Sequence, residues 1–255
     1  MTSSLILPPS ALHNASLILP PSALHNASLI LPPSALNNAS FIFPPSSLVC
    51  KVLPKSKIYE HSKPGNAVKE LFVKQVDKII WQYKLAPETI NLPAKPNVPE
   101  IQVFTIALKT PELSEDVLRC IDQAIPLPIF YQLTFANRIK LKAAYKRPSD
   151  ADAGKWVTES YFETDWLPSD SGRAELPVVL DLAGLYEHLL RPLMPLPPRV
   201  GESLKTQVER LSLLRTKQNE YRKLETRLNN ERQFNRKVEL NSKLRQLKLE
   251  LAKLM

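Results

Sequence analysis

The stretch IQVFTIALKTPELSEDVLRCIDQAIPLPIFYQLTF, residues 101–135, decides the fold. Its first part, residues 101–109, is an almost continuous apolar run, which is typical of a buried strand. Ser114 then predicts a helix start, because its side chain can cap the first turn and the two acidic residues after it suit the helix dipole. A second apolar run covers residues 129–135. Strand, helix and strand in this order predict a right-handed β-α-β crossover.

A third predicted strand follows a tight turn at Ala136-Asn137-Arg138. Residues 139–146, IKLKAAYK, alternate so that Lys140, Lys142 and Lys146 share one face while the other face is apolar. This alternation predicts a strand with a basic side.

The rest of this region completes the predicted domain. Residues 156–163 form a fourth predicted strand, and Asp181 is placed to cap a helix whose leucines repeat with helical spacing. We therefore predict an α+β domain over residues 40–198, with a mixed, mostly four-stranded sheet covered by helices.

Upstream of residue 101, the pattern predicts one extended segment and one helix. Residues 52–59 are interpreted as a basic extended lead-in. Ser62-Lys63-Pro64 is a plausible helix start, and apolar residues from Val68 to Tyr83 recur with i, i+3, i+4 spacing, which predicts a single amphipathic helix.

The first 39 residues are uncharged tandem repeats with a period of twelve residues, SLILPPSALHNA in its first form. A Pro-Pro pair in each copy opposes both a long helix and a central strand, so we expect residues 1–39 to be extended, disordered and dispensable. The fourth copy, SFIFPPSSLVCK, joins the domain. Its Phe41 and Phe43 are larger anchors than the leucines before them, and we expect them to pack on the domain.

Residues 199–255 form a predicted basic helical tail. A coiled-coil-prone seam with 4-3-4-3 spacing consists of Leu240, Leu244, Leu247, Leu251 and Leu254. Upstream the heptad register slips, so one rod and a hairpin are both compatible with the pattern. Such a seam needs a partner, which is the chain's own core, a second copy or another protein, and we expect a protein partner or a second copy.

The net charge of +9 is concentrated in this tail, where 14 Lys and Arg residues oppose 7 Asp and Glu from Gly201 onward. Clustered cations are what phosphate binding requires, although exposed cations on helices usually serve only solvation. The candidate contacts with nucleic acid, DNA above all, are Lys140, Lys142, Lys146, Arg222, Lys223, Arg227, Arg232, Arg236 and Lys237.

No catalytic motif is evident, and we expect no cofactor, catalytic residue or metal site. The five glycines are too far apart for a phosphate-binding loop, and the two cysteines lack zinc spacing. The alternative of a divergent nucleic-acid-processing enzyme depends on one possible acidic cluster: Glu100, Asp150, Asp152, Glu163 and Asp165. No signal peptide or membrane span is predicted, so we expect a cytoplasmic protein.

Four segments resemble bacterial proteins of the domain of unknown function 4391, over about residue 41 to the C-terminus. They are KVLPKSKIYEH (51–61), KIIWQYKLAPETINLP (78–93), IDQAIPLPIFYQL (121–133) and ERQFNRKVELNSKLRQLKLEL (231–251). The resemblance implies no established activity or site residue. It implies a setting near DNA methyltransferases and helicases of restriction-type systems.

Together these observations predict a non-enzymatic accessory or adaptor protein that associates through its tail. A purely structural coiled-coil protein is a further alternative to the enzyme.

Overall fold

A computed structural model describes residues 41–152 and 154–255. The repeats of residues 1–39, and the expectations placed on them, lie outside the described residues. The strands are β1 (Phe41–Ile42), β2 (Leu48–Val52), β3 (Val76–Leu85), β4 (Ile101–Leu108), β5 (Ile129–Phe135), β6 (Arg138–Pro148), β7 (Trp156–Glu163), β8 (Leu167–Pro168) and β9 (Ala174–Glu175). The helices are α1 (Lys55–Ser62), α2 (Asn66–Gln75), α3 (Pro87–Ile90), α4 (Glu115–Ala124), α5 (Leu182–Leu190), α6 (Leu204–Asn230) and α7 (Phe234–Leu254).

The main sheet has seven strands, in the order β2-β3-β4-β5-β6-β7 with β8 pairing β6. Only β4 and β5 run parallel, while the other neighbours in this sheet are antiparallel. The prediction of a mixed α+β fold is therefore confirmed, but the predicted size of four strands is wrong.

The central segment matches its prediction closely. The Ser114 hydroxyl accepts a hydrogen bond from the backbone N–H of Asp116 and caps α4. Helix α4 connects β4 to β5, and these two strands pair in parallel. Ala136 and Asn137 both have positive φ, the conformation of the tight two-residue turns that join antiparallel strands. The Asp181 side chain caps α5 by accepting from the N–H of Gly184 at 2.8 Å.

The segment before the sheet differs from its prediction. Residues 55–62 form α1 rather than an extended lead-in, and Ile58 on this helix is only 2% exposed. The predicted helix start at Ser62 is where α1 ends, because Lys63 takes a left-handed conformation with φ of 47°. Burial of Ile58 against the core therefore outweighs the extended tendency that the basic composition suggested.

The predicted helix from Val68 to Tyr83 is half wrong, since α2 ends at Gln75 and the chain continues directly into β3. Strand β3 contains two register shifts, one between Val76 and Lys78 and one between Trp81 and Tyr83. Each shift inserts a residue and breaks the two-residue alternation of a strand. The resulting apolar spacing imitates a helix, which explains the error.

Two lysines fix the point at which α2 ends. Lys55 Nζ donates to the carbonyl oxygens of Phe72 at 3.0 Å and Val76 at 2.6 Å. Lys109 Nζ donates to the carbonyl of Val73 at 3.0 Å. Cations at a helix C-terminus satisfy its unpaired carbonyls and oppose its dipole. These contacts come from distant parts of the chain, so no local pattern announces them.

Helices cover both faces of the sheet. One face packs against α1, α2 and α4 in a core cluster that includes Ile58, Phe72 and Leu118. On the other face, Tyr186 of α5 meets the ring of Phe130 edge-on at 5.9 Å and its hydroxyl donates to the carbonyl of Ala144 at 2.9 Å. Strand β6 is therefore enclosed from both sides.

The fourth repeat copy packs on the domain as predicted. Strand β1 pairs with β9 in parallel, and Phe41 and Phe43 are 7% and 9% exposed. The ring of Phe43 lies 4.7 Å from that of Tyr83 between centroids, and the Ser46 hydroxyl donates to the Thr89 carbonyl.

The tail is a hairpin of α6 and α7, which pack against each other. Lys217 of α6 and Glu250 of α7 form an ion pair at 2.8 Å across it. Of the two arrangements that the slipped register allowed, the chain adopts the hairpin. None of the helices that the structure describes is both long and apolar enough to cross a membrane.

A chain that begins at Ser40 should fold with unchanged stability, because it retains the buried anchors Phe41 and Phe43. We expect the free energy of unfolding in urea, followed by circular dichroism, to stay within about 0.5 kcal/mol of that of the full chain. Phe43→Ala should cost about 3 kcal/mol, since it removes a buried ring. Ile42→Ala, at a residue that is 52% exposed, is the matched control. A large loss of stability on truncation would show that the repeats support the domain.

Candidate functional site

The three lysines of β6 do share one strand face, but that face lies beneath α4. Lys142 and Lys146 are buried, and each reaches a carboxylate. Lys140 contacts Glu163 at 2.9 Å. All three lysines therefore have carboxylate partners and two of them are buried, which argues against their prediction as nucleic-acid contacts.

Lys146 belongs to a buried polar network around Asp122 of α4. Its Nζ lies 2.8 Å from Asp122 Oδ1, and the two side chains are each 1% exposed. The hydroxyl of Tyr131 donates to Oδ1 at 2.6 Å, and that of Tyr161 donates to Oδ2. Lys146 Nζ also donates to the carbonyl of Ile125 at 2.8 Å. The network joins α4 to β5, β6 and β7 through one carboxylate.

The ionisation of this network follows from its burial. Burial raises the pKa of Tyr131 and of Tyr161 well above the usual range, and the charge of Asp122 adds to both effects. Burial lowers the pKa of Lys146, while Asp122 opposes that shift. Every group that donates here has an acceptor and the site is closed to solvent. The arrangement is suited to holding elements together rather than to binding a substrate.

A second network lies at the edge of the first. Burial acts to raise the pKa of Glu163, but hydrogen bonds from Lys142 and Lys140 outweigh it, and the pKa is lowered. Lys142 also lies over the ring of Tyr161, and Lys140 over that of Trp166, at 5.7 and 5.4 Å from the centroids. The cations on this face are thus neutralised locally.

The carboxylates of the alternative enzyme site do not converge. Asp150 and Asp152 precede β7 and pair with nearby cations, whereas Glu163 ends the same strand. Seven steps of roughly 3.3 Å, from Trp156 to Glu163, separate the two ends of this strand by about 23 Å. Glu100 pairs with Lys84 at 3.1 Å. Within residues 41–152 and 154–255, no three His, Cys, Asp or Glu side chains are grouped to hold a metal ion.

The predicted leucine seam is used within the hairpin. Leu244, Leu247 and Leu251 are 8%, 6% and 3% exposed, and Leu240 and Leu254 are half-buried. Helix α6 is the element against which α7 packs. The seam therefore packs within the same chain, one of the three alternatives that the sequence left open, while its binding to another chain stays a prediction.

The base of the hairpin is fixed by Arg210, which is 6% exposed. Its guanidinium contacts both carboxylate oxygens of Glu202 at 2.7 Å. It also donates to the carbonyls of Pro197 and Leu254, each at 2.8 Å. This residue links the end of α7 to the segment before α6. The hydrogen bond from Arg210 lowers the pKa of Glu202 to about 2.

The cations at the distal end of the hairpin have a different environment. We define the distal cluster as Arg222, Lys223, Arg227, Arg232 and Lys237, all of them exposed. None of the five forms an ion pair within the part of the chain that the structure describes. Arg236, the sixth predicted contact in the tail, lies 4.0 Å from Glu231. The tail therefore keeps unpaired positive charge, whereas the three lysines of β6 do not.

A cleft of about 410 Å³ lies between the helices at this end. Arg227 and Arg236 line it, but so do Glu231 and Glu239, and Leu240 contributes an apolar side chain. Because the charges balance, the cleft is not a dedicated anion site. The distal cluster, of which Arg227 alone is among the residues that line the cleft, is the stronger candidate.

Sequence reasoning missed the Asp122 network, although two signals were available. Asp122 lies four residues after Leu118 and so falls within the apolar stripe of α4. Lys146 lies on the strand face that also holds Ala144, which is 1% exposed. Opposite charges at two positions that face a core indicate a buried pair.

A family model described as Domain of unknown function (DUF4391) matches residues 41–251, from β1 to the last turn of α7. The match confirms the resemblance seen in the sequence. Neither curated proteins nor solved structures include one that matches the chain significantly.

Breaking the buried pair should cost much of the stability of the domain. Lys146→Met leaves the Asp122 charge buried without its cation, and we expect a loss of about 3–5 kcal/mol in urea unfolding. Lys57→Met, which breaks a surface pair, should cost no more than about 1 kcal/mol. In a double-mutant cycle, Asp122→Asn should cost less in the Lys146→Met background than in the native chain. A loss under about 1 kcal/mol for Lys146→Met would contradict this role.

The Glu202–Arg210 pair should make stability depend on pH in the acid range. The pKa of Glu202 is about 2 in the folded chain and ordinarily 4.5, so the pair stabilises fully above about pH 4.5 and progressively less as the pH falls toward 2. Glu202→Gln should lower the unfolding temperature at neutral pH and flatten its decline between pH 5 and 2. Glu112→Gln, at an exposed loop residue, should retain the full decline. An identical pH profile in Glu202→Gln would overturn the assignment.

Proposed function

We propose that this chain, which belongs to the DUF4391 family, is a non-enzymatic accessory protein that binds a partner through its C-terminal hairpin. Because the function of that family is unknown, the proposal depends on the residues of the chain itself. The observation that carries this proposal is the distal cluster, whose five cations have no ion-pair partner among the residues that the structure describes.

The contrast with the sheet gives this observation its weight. Lys142 and Lys146 lie close to carboxylates because burial of an unpaired charge is costly. The distal cations are solvated, so they cost little when unpaired and remain free for a partner. Unpaired cations attract anionic surfaces from a distance and accelerate association.

The anchored base of the hairpin supports the same role. Arg210 and Glu202 hold the start of α6, and Arg191 extends this support by donating to Gln207 Oε1 at 3.0 Å. A binding element fixed to its domain loses less conformational entropy on binding than a free helix does. The domain then positions whatever the hairpin binds.

The partner we propose is a protein with an acidic surface, in the restriction-type setting that the family resemblance implies. DNA is a second candidate for the distal cluster, because phosphates also select clustered lysine and arginine. The proposed cytoplasmic location agrees with both candidates.

Neutralising the distal cluster should release the partner without unfolding the chain. The distal variant combines four substitutions: Arg222→Ser, Lys223→Ser, Arg227→Ser and Arg232→Ser. Proteins of the native host organism are cross-linked to the chain and quantified by mass spectrometry. We expect the distal variant to recover about tenfold less of them than the native chain does. The same variant measured against a 20-base-pair duplex by fluorescence anisotropy tests DNA contact separately.

The matched control removes four exposed lysines that already have ion-pair partners: Lys57, Lys74, Lys155 and Lys243. Their replacement by serine should leave recovery unchanged. Equal recovery with the native chain and the distal variant, or equal losses with both sets, would refute the proposal. Loss of duplex binding alone would assign the cluster to DNA.

A further inference from the structure

Helix α7 carries a second heptad seam on the side away from its leucines. Its members are Phe234, Val238, Asn241, Arg245, Lys248 and Ala252, which repeat with 4-3-4-3-4 spacing. At about 100° per residue, the middle of this seam lies roughly 120° around the helix from the middle of the leucine seam. A helix with two such seams can pack against two neighbours.

The second seam is exposed, whereas the leucine seam is buried. Phe234 and Val238 are 77% and 54% exposed, and Leu249, which borders the seam, is 68% exposed. Asn241, Arg245, Lys248 and Ala252 are also exposed. Large apolar residues at regular helical spacing on a surface mark a place where another element packs.

The charges on this seam define its partner. Arg245 and Lys248 occupy core-type heptad positions and have no ion pair with a described residue. The two glutamates of α7, Glu239 and Glu250, lie on the opposite side of the helix and are already paired with Lys243 and Lys217. No carboxylate of α7 therefore offsets the seam, so carboxylates must come from the partner.

We infer that the second seam of α7 binds an acidic amphipathic helix of another protein. Apolar side chains of that helix pack on Phe234 and Val238, and its carboxylates meet Arg245 and Lys248. This inference rests on the proposed function and specifies the surface and the class of partner. From Phe234 to Ala252 the seam is about 27 Å long at roughly 1.5 Å per residue, which matches a partner helix of about five turns.

Other occupants fit this surface less well. A second copy would bring the same cations face to face, because the chain carries a net charge of +9 and its tail holds most of the excess. A lipid surface favours a continuous apolar face, and Arg245 and Lys248 interrupt this one. Nucleic acid offers phosphates to the cations but no helical apolar stripe for Phe234 and Val238.

The test uses the full chain and a synthetic acidic helix of three heptads, with leucine at core positions and glutamate beside them. We expect it to bind, measured by isothermal titration calorimetry, and a lysine-for-glutamate counterpart not to bind. Phe234→Ser with Val238→Ser should weaken binding by about tenfold or more. Val178→Ser with Leu180→Ser, at residues that are 103% and 90% exposed, should leave it unchanged.

Charge reversal supplies the specific signature. Arg245→Glu with Lys248→Glu should abolish binding of the acidic helix and create binding of its lysine counterpart. Thermal unfolding by circular dichroism verifies that each variant is folded. The inference would be overturned if the acidic helix bound equally well to the native chain and to all of these variants. It would also be overturned if the variants changed only the binding of anionic phosphatidylserine vesicles or of duplex DNA.

The same variants separate this inference from the proposed function. If Phe234→Ser with Val238→Ser leaves the recovery of host proteins intact while the distal-cluster variant reduces it, the second seam fails and the proposed function stands. If the distal-cluster variant changes nothing, the proposed function fails whatever the peptide does.

Discussion

The carboxylate of Asp122 is the contact on which the central part of the domain depends. It accepts hydrogen bonds from Tyr131 and Tyr161 and forms an ion pair with Lys146. One side chain of α4 therefore contacts three neighbouring strands. Lys146 in turn satisfies backbone carbonyls just after α4, at Ile125 and Leu127. A buried charge is tolerated only with such complete pairing. The network therefore requires α4 to lie across β5, β6 and β7 in one register.

The parts of the fold that the sequence could predict are those set by local features. Strand β4, the Ser114 cap and β7 were all predicted, because an apolar run, a capping residue and alternation are local features. Strand β3 was not, since its two register shifts turn a strand pattern into a helical one. The end of α2 depends on Lys55 and Lys109, which reach it only in three dimensions.

The candidate site shows a related limit. A heptad seam such as Leu240 to Leu254 predicts that a helix packs against a partner, but it does not identify that partner. The structure supplies α6 as that partner, and the short break from Glu231 to Gln233 permits the reversal. Lysines on one face of a strand are equally ambiguous, because an exposed face and a face beneath an acidic helix residue share the same alternation. Asp122 in the neighbouring helix and the small apolar Ala144 on the same strand face are the signals that distinguish them.

The distribution of charge differs between the sheet and the hairpin. In the sheet, each buried lysine is paired with a carboxylate because an unpaired buried charge is costly, so its charge contributes to the stability of the fold. In the hairpin, solvation removes that obligation, and cations can remain unpaired at little cost. Folding α7 onto α6 consumes one seam of α7 and leaves the other exposed beside those free cations. In the hairpin, exposed apolar residues and unpaired cations therefore lie side by side, the combination from which specific protein interfaces are built.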